Sequence, residues 1–144
     1  MKIVIGSDHG GYKLKNSLII YLSKKQHAIF DVGAFSVESC DYPDFAKRAA
    51  RILLQKKSKR GILICKSGLG MSMAANRIKG IRAALCHNVK MVKSSRQHND
   101  ANVLVFGANY TKEFAAKRMC DIFIKEAFSG GRHTRRVKKI EQRG

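Results

Sequence analysis

Five short apolar runs, separated by segments of helical character, constrain the fold of this chain more than any other feature. Runs of this length predict buried strands. The runs cover residues 2–6, 28–32, 61–65, 81–86 and 102–107. The segments between them carry apolar residues at helical spacing, as in 12–24, 42–55, 89–97 and 111–128. Buried strands that alternate with helices are typical of a parallel sheet covered on both faces. The pattern therefore predicts an α/β fold: a three-layer α/β/α Rossmann-like sandwich with a five-stranded parallel sheet and right-handed crossovers.

Length and composition set the domain count and the expected compartment. The 144 residues fit one domain, 1–144, in which 132–144 is a basic C-terminal tail predicted to be helical to Arg143. No apolar run approaches the roughly 20 residues of a membrane span, and no signal peptide is recognisable. The four cysteines lack the C-x-x-C spacing of a zinc site. We expect a cytoplasmic protein without contact to a membrane.

The charge of the chain is strongly positive. Twenty-nine Lys and Arg residues against ten Asp and Glu residues give a formal net charge of +19. Such an excess attracts polyanions and also steers small phosphorylated substrates. The basic residues are spread along the chain, however, and form no recognisable nucleic-acid-binding motif. A nucleic-acid-binding module, which would bind DNA or RNA with strong salt dependence, therefore stays a distant alternative.

Residues 61–76 carry the most suggestive local pattern. An apolar run ends in Cys65, a turn with Gly68 and Gly70 follows, and an alanine- and methionine-rich segment begins. This order is typical of strand, tight loop and helix. Free N–H groups at a helix N-terminus bind anions and favour the thiolate form of a nearby cysteine. The stretch predicts an anion site beside a nucleophile or base, with a merely buried cysteine as the alternative.

Further polar groups lie where other elements end. Asp8 and His9 follow the first predicted strand, so a parallel sheet would place them at the same edge as Cys65. Asp8 has an alternative interpretation as a helix N-cap, and the corner 98–100 has one as a polar helix end. Arg132 and Arg136 share one face of a helix at i, i+4 spacing, which suits a phosphate clamp or a solvated surface.

Several sequence blocks together resemble a known family over essentially the whole chain. The blocks are Gly6-Ser-Asp8-His9-Gly, Asp41-Tyr42-Pro43, Cys65-x-Ser67-Gly68-x-Gly70-x-Ser72-x-Ala-Ala-Asn76, Gly80-Ile-Arg-Ala, Ser95-Arg-Gln-His98-Asn99-Asp100-Ala-Asn102-Val and Gly131-Arg132-His133-x-x-Arg136-Val. In this order and spacing they resemble the B-type ribose-5-phosphate isomerases. That family also contains the galactose-6-phosphate isomerase subunits.

The resemblance implies a reaction and roles for particular residues. It implies aldose–ketose isomerisation of ribose 5-phosphate and ribulose 5-phosphate in the non-oxidative pentose phosphate pathway, without metal or organic cofactor. Cys65 is implied as the base that moves a proton between C2 and C1, and His98 as the ring-opening acid. Asp8 and Ser67 are implied as helpers. The implied substrate-binding residues are Asp8, His9, Tyr42, Lys66, Ser67, Gly68, Leu69, Gly70, Asn99, Arg132 and Arg136.

The resemblance also implies an assembly. The expected form is a homodimer in which the partner subunit contributes the His98–Asn99 corner, or a tetramer built from such dimers. A hexose-6-phosphate isomerase, including one acting on allose 6-phosphate, is the alternative within the family, and a catalytically inactive homologue is another. The galactose-type subunits tend to lose the His–Asn corner, which is intact here, so ribose 5-phosphate is the predicted substrate.

Three positions depart from the family pattern. Lys66 stands where the family usually has glycine, which adds bulk and charge beside the predicted loop. Asn109 stands where the family often has an arginine able to touch phosphate, so no phosphate role is assigned to it. Ser67 replaces a commoner threonine, which is a mild change.

Overall fold

The computed structural model describes residues 1–142, and its centre is a five-stranded parallel sheet. The strands are β1 (Lys2–Ser7), β2 (Ala28–Asp31), β3 (Arg60–Cys65), β4 (Ala83–Leu85) and β5 (Val103–Gly107). Their order across the sheet is β2-β1-β3-β5-β4, and every neighbouring pair is parallel. The predicted α/β class and the five-stranded parallel sheet are confirmed.

Within residues 1–142, six α-helices and one short 3₁₀ turn, His9–Gly11, connect and follow the strands. The helices are α1 (Tyr12–Lys24), α2 (Tyr42–Leu54), α3 (Leu69–Asn76), α4 (Val89–Asn99), α5 (Glu113–Lys125) and α6 (Arg132–Glu141). None of them combines the length and the apolar character needed to cross a bilayer, as far as residues 1–142 are concerned.

Some boundaries differ from the predicted ones for local reasons. The predicted strand 81–86 shrinks to Ala83–Leu85, because the Asn102 side chain accepts the N–H of Arg82 that a ladder would use. Helix α4 continues through His98 and Asn99, and Asp100 ends it in a left-handed conformation with φ of 46°. Helix α5 is shorter than the predicted 111–128 because both of its cap residues are extended. Arg143, predicted in the last helix, lies outside the described residues.

The sheet separates two apolar cores. Helices α1, α4 and α5 cover one face with residues such as Leu18, Val92 and Phe123. Helices α2 and α3 cover the other face, where Phe45 and Met71 pack. Helix α6 buries no residue and contacts α4 outside these layers. The result is a sandwich of three layers with one additional surface helix.

The strand order determines where a crevice opens. From β1 the chain passes first to β2 on one side and then to β3 on the other side. In open parallel sheets, ligands bind at such a switch point, outside the carboxyl ends of the two strands. The residues that follow β1 and β3 are Asp8 and Lys66, and β3 itself ends in Cys65.

Candidate active site

A cavity of about 220 Å³ lies at this switch point. It is lined by Asp8, His9, Tyr42, Cys65, Lys66, Ser67 and Gly70, all of them predicted site residues. A larger cavity of about 550 Å³ lies between α3 and α6. Its lining includes Arg77, Lys79 and Ile140 but no thiol or imidazole. The chemistry of the lining, rather than size, therefore identifies the smaller cavity as the candidate site.

Cys65 is buried at the end of β3, with 4% of its surface exposed. Its Sγ accepts the backbone N–H of Gly68 at 3.1 Å, immediately before α3 begins at Leu69. The sulfur therefore faces a backbone donor at the N-terminus of a helix, the end that attracts anions. Gly68 has φ of 80°, and a Cβ there would clash with Leu85 Cδ1. Only glycine fits this turn without displacing its neighbours.

The other thiols have different surroundings. Cys86 and Cys120 lie in the core between the sheet and helices α1, α4 and α5. Burial raises the pKa of Cys86 to about 11, and burial raises the pKa of Cys120 still further. Both thiols therefore stay protonated at neutral pH. Cys40 is half-buried in the loop before α2, and its backbone contacts His9.

Asp8 and His9 are held in defined orientations by backbone groups. Asp8 is 5% exposed, and its Oδ1 accepts the N–H groups of Gly10 and Gly11 at 2.9 and 3.1 Å. The N-cap interpretation is thus correct, although Asp8 also lines the cavity. His9 Nδ1 accepts the N–H of Cys40 at 3.2 Å. A neutral His9 ring consequently carries its proton on Nε2, where it can donate to an oxygen atom.

The loop amides are less available than the sequence interpretation assumed. The N–H of Gly68 is used by Cys65, and the N–H of Leu69 donates to Ser67 Oγ at 3.1 Å. Leu69 itself does not line the cavity and is 55% exposed. The N–H groups in the first turn of a helix have no acceptor within the helix. In α3, the N–H groups that come after that of Leu69 are those of Gly70 and Met71. An oxyanion would therefore meet the N–H of Gly70, which is a predicted site residue, and that of Met71, which is not.

Tyr42 and Lys66 form walls of the cavity by packing on glycines. A Cβ on Gly70 would lie 2.5 Å from the Tyr42 ring, so the ring lies directly against the first turn of α3. A Cβ on Gly10 would clash with Lys66 Cγ, so the lysine stem covers the turn that Asp8 caps. The Lys66 carbonyl also accepts the N–H of Asn109 at 3.0 Å. Lys66 and Asn109, which both depart from the family pattern, are therefore in contact.

His98 and Asn99 do not line this cavity. They end α4, and only residues 100–102 separate them from the start of β5, so they lie at the amino edge of the sheet. In the register of β3 and β5, Gly61 pairs with Val103 whereas Cys65 pairs with Gly107. Four residues of a strand span about 13 Å. The predicted acid and the predicted base of one chain thus lie near opposite edges of the sheet.

Arg132 and Arg136 lie on the helix that packs against the His98 helix, and they do not line the Cys65 cavity. Both are exposed on α6, which packs on α4. The His133 ring stacks on the His98 ring, with 4.5 Å between centroids and 16° between planes. The sequence interpretation assigned no role to His133, although it stands inside a matched block. The predicted site residues therefore form two groups, which we call the thiol group (Asp8, His9, Tyr42 and 65–70) and the imidazole group (His98, Asn99, Arg132 and Arg136).

An ionic network fixes the far end of α6, and no sequence pattern indicated it. Arg82 Nη1 donates to Glu141 Oε1 at 2.6 Å, and Arg82 Nη2 donates to Asp100 Oδ2 at 3.2 Å. Arg96 Nη1 donates to Asp100 Oδ1 at 2.8 Å. Because Asp100 is the C-cap of α4, the network joins the ends of α4 and α6.

No group of three or more His, Cys, Asp and Glu side chains within residues 1–142 is arranged to hold a metal ion. The thiol group offers instead a buried sulfur with an amide donor, a carboxylate and an imidazole. These groups can exchange protons with a substrate.

Fold and site together define a doubly wound α/β protein with a thiol-bearing cavity at the switch point of its sheet. Comparison with known proteins identifies the group to which it belongs. A family model described as "Ribose/Galactose Isomerase" matches residues 3–140. The chain belongs to this ribose/galactose isomerase family.

Individual relatives match over nearly the whole chain. Ribose-5-phosphate isomerase B of Escherichia coli is 40% identical over 139 residues, which cover 96% of this chain and 93% of that protein. The crystal structure of a ribose 5-phosphate isomerase of Thermotoga maritima has a TM-score of 0.96 at 45% identity and covers 97% of both chains. A Clostridium thermocellum ribose-5-phosphate isomerase B also has a TM-score of 0.96, at 47% identity, with 98% and 95% covered.

Proposed function

We propose that this protein interconverts ribose 5-phosphate and ribulose 5-phosphate through an enediolate. The observation that carries the proposal is the cavity that joins the amide-bonded sulfur of Cys65 to Asp8 and His9. Membership of the isomerase family and the names of the relatives support it. The reaction needs a base of suitable strength and an oxyanion site, and both can be built from the thiol group.

The proton transfer at carbon is assigned to Cys65. Its thiolate takes the proton from C2 of the open-chain aldose, the C2–H electrons form the C1=C2 bond, and O1 becomes negative. A proton then moves from O2 to O1, and the thiol returns its proton to C1. Ser67 suits the transfer between oxygens because its Oγ accepts the Leu69 N–H and leaves its own proton free for donation. First-turn amides of α3 face the developing charge.

Ring opening is assigned to Asp8 and His98. The C1–O4 bond of the furanose breaks as O4 receives a proton from the His98 imidazolium and Asp8 receives the O1–H proton. Because one chain separates these residues across the sheet, His98 is supplied by the partner subunit of a homodimer. The register distance of about 13 Å supports this arrangement.

Binding of the substrate's phosphate and sugar is assigned to residues of both the thiol group and the imidazole group. His9 Nε2, Arg132 and Arg136 hold the phosphate, which positions the reacting carbons over Cys65. Asn99 stabilises the enediolate charge, and Tyr42 lines the sugar site. A cytoplasmic location belongs to the same proposal, since all four cysteines are free thiols.

The test is an isomerase assay on the wild type, Cys65→Ala and the control Cys86→Ala. We expect ribose 5-phosphate to be converted by the wild type and Cys86→Ala, and at least about 100-fold more slowly by Cys65→Ala, which lacks the base. Allose 6-phosphate serves as the competing substrate. Absence of ribulose 5-phosphate formation by the wild type would exclude the proposed substrate, and full turnover by Cys65→Ala would exclude Cys65 as the base.

A further inference from the structure

The contact between α4 and α6 brings a second histidine onto the proposed ring-opening acid. The rings of His98 and His133 are nearly parallel, 16° apart, and their centroids are separated by 4.5 Å. Such stacking restricts the rotation of both side chains. His98 is exposed, and within residues 1–142 its ring has the stacking contact with His133 but no side-chain hydrogen bond. The stack is therefore the contact that defines its orientation.

Helix α6 is placed firmly enough to make this contact. On the N-terminal side, the Ser129 N–H donates to the Gln97 carbonyl at 3.1 Å, one residue before His98. At the other end, Glu141 is bonded to Arg82, which also binds Asp100 at the end of α4. These two anchors flank the stacked pair, so His133 is presented to His98 by a helix fixed at both ends.

We propose that His133 is a positioning residue that holds the His98 imidazole in the orientation from which it donates its proton to the sugar ring oxygen. This inference rests on the proposed function, because it assigns His133 a role only through His98. No contact of His133 with substrate is part of it.

The charges around His98 and His133 agree with a proton-donating role for His98 and a positioning role for His133. The charged and titratable neighbours of His133 are His98 on α4 and Arg132 and Arg136 on its own helix. Partial burial and these positive neighbours lower the pKa of His133 below its ordinary value of 6.5. A neutral His133 can stack on a protonated His98, whereas two imidazolium rings at this distance would repel each other.

The experiment compares ribose 5-phosphate turnover in five variants with that of the wild type: His133→Ala, His133→Phe, His98→Ala, the double variant and the control His27→Ala. We expect His133→Ala to lower kcat about 10- to 100-fold, since a misplacement of about 1 Å has effects of this size. KM should change less than about threefold, as the phosphate-binding arginines stay. His133→Phe keeps a stacking ring and should recover most of the lost kcat, roughly to within threefold of the wild type.

The double variant distinguishes a positioning role of His133 from a role that is independent of His98. If His133 acts through His98, the His98→Ala/His133→Ala protein is no slower than His98→Ala alone. Three outcomes would each overturn the inference. The first is a loss of kcat in the double variant equal to the product of the two single losses. The others are an unchanged kcat in His133→Ala and a His133→Phe protein as slow as His133→Ala. Thermal unfolding of His133→Ala checks that the loss of kcat is not a loss of fold.

A measurement without substrate distinguishes failure of this inference from failure of the proposed function. At this ring separation, we expect the ring current of His133 to shift the imidazole proton resonances of His98 in the NMR spectrum of the wild type. His133→Ala should remove this shift, His133→Phe should keep a ring-current shift, and His27→Ala should leave it unchanged. A wild type that shows the stack but does not convert ribose 5-phosphate would contradict the proposed function. A wild type without the shift would contradict the stack itself.

Discussion

At the scale of single residues, Lys66 distinguishes this chain from the family pattern. Its stem lies on Gly10 and its backbone joins Asn109, so it lines the cavity beside Cys65 and His9. A cation at the rim of a cavity attracts an anionic substrate without taking part in the proton transfers. The backbone of Lys66 contacts Asn109, the position where the family often has arginine, while its side chain extends over Gly10.

Replacement of Lys66 by methionine should therefore weaken substrate binding more than catalysis. Methionine keeps an apolar stem over Gly10 and removes only the charge. We expect KM for ribose 5-phosphate to rise about fivefold, equivalent to roughly 1 kcal/mol for one partly solvated charge, with kcat changed less than about twofold. The increase should shrink at high salt. Lys57→Met, at an exposed position away from the cavity, is the control, and an unchanged KM in Lys66→Met would contradict this role.

The thiol group could be predicted from the sequence because its parts follow local rules. Strands of a parallel sheet end at the same edge, so the positions of Asp8 and Cys65 after two apolar runs are enough to bring them together. The stack of His133 on His98 could not be predicted in this way. It depends on how α6 docks on α4, and that docking relies on Arg82 and Glu141, which are distant in sequence.

At the scale of elements, α1 is joined to β2 by a buried ion pair. The Lys15 side chain is 0% exposed and its Nζ donates to Asp31 Oδ2 at 2.6 Å. Asp31 Oδ1 meanwhile accepts the N–H of Gly33, at the start of the loop that leads to Cys40 and its contact with His9. This pair therefore supports one wall of the cavity as well as the sheet edge.

Asp31→Asn isolates the charge in this pair, because asparagine can still accept the Gly33 N–H. A buried ammonium would then lack its counter-charge, and we expect the free energy of unfolding to fall by about 3 kcal/mol. Asp121→Asn is the matched control. Its partner Lys25 is 41% exposed, so the loss there should be clearly smaller than in Asp31→Asn. Urea denaturation measures both, and equal losses would show that burial of Lys15 does not matter.

The elements themselves were largely predictable, whereas their ends and order were not. Five apolar runs became five strands, and the local pattern is clearest for β1, β3 and β5, which are buried on both faces. The strand at 83–85 is short because one side chain, Asn102, takes a backbone donor. The order β2-β1-β3-β5-β4 depends on which faces pack together, and the apolar runs do not encode this.

At the scale of the whole molecule, the thiol group and the imidazole group lie near opposite edges of one sheet. Strand β5 starts at Val103, shortly after α4 ends at Asn99, and finishes at Gly107, which pairs with Cys65. The proposed function, which needs both groups at one site, therefore takes them from two chains. In a twofold dimer, each chain gives its thiol group to one site and its imidazole group to the other.

This division predicts recovery of activity when two inactive variants are mixed. Cys65→Ala damages the thiol group and His98→Ala damages the imidazole group, so a hybrid dimer has one site with both defects and one intact site. After joint refolding of equal amounts, half of the dimers are hybrids, and we expect about a quarter of wild-type activity. Mixing Cys65→Ala with Asp8→Asn is the control. Both defects belong to the thiol group, so no hybrid site is intact and activity should stay low.

Hybrids that are detected by native electrophoresis but inactive in the first mixture would contradict a shared site. Recovery in the control mixture would contradict the assignment of Asp8 and Cys65 to the same site.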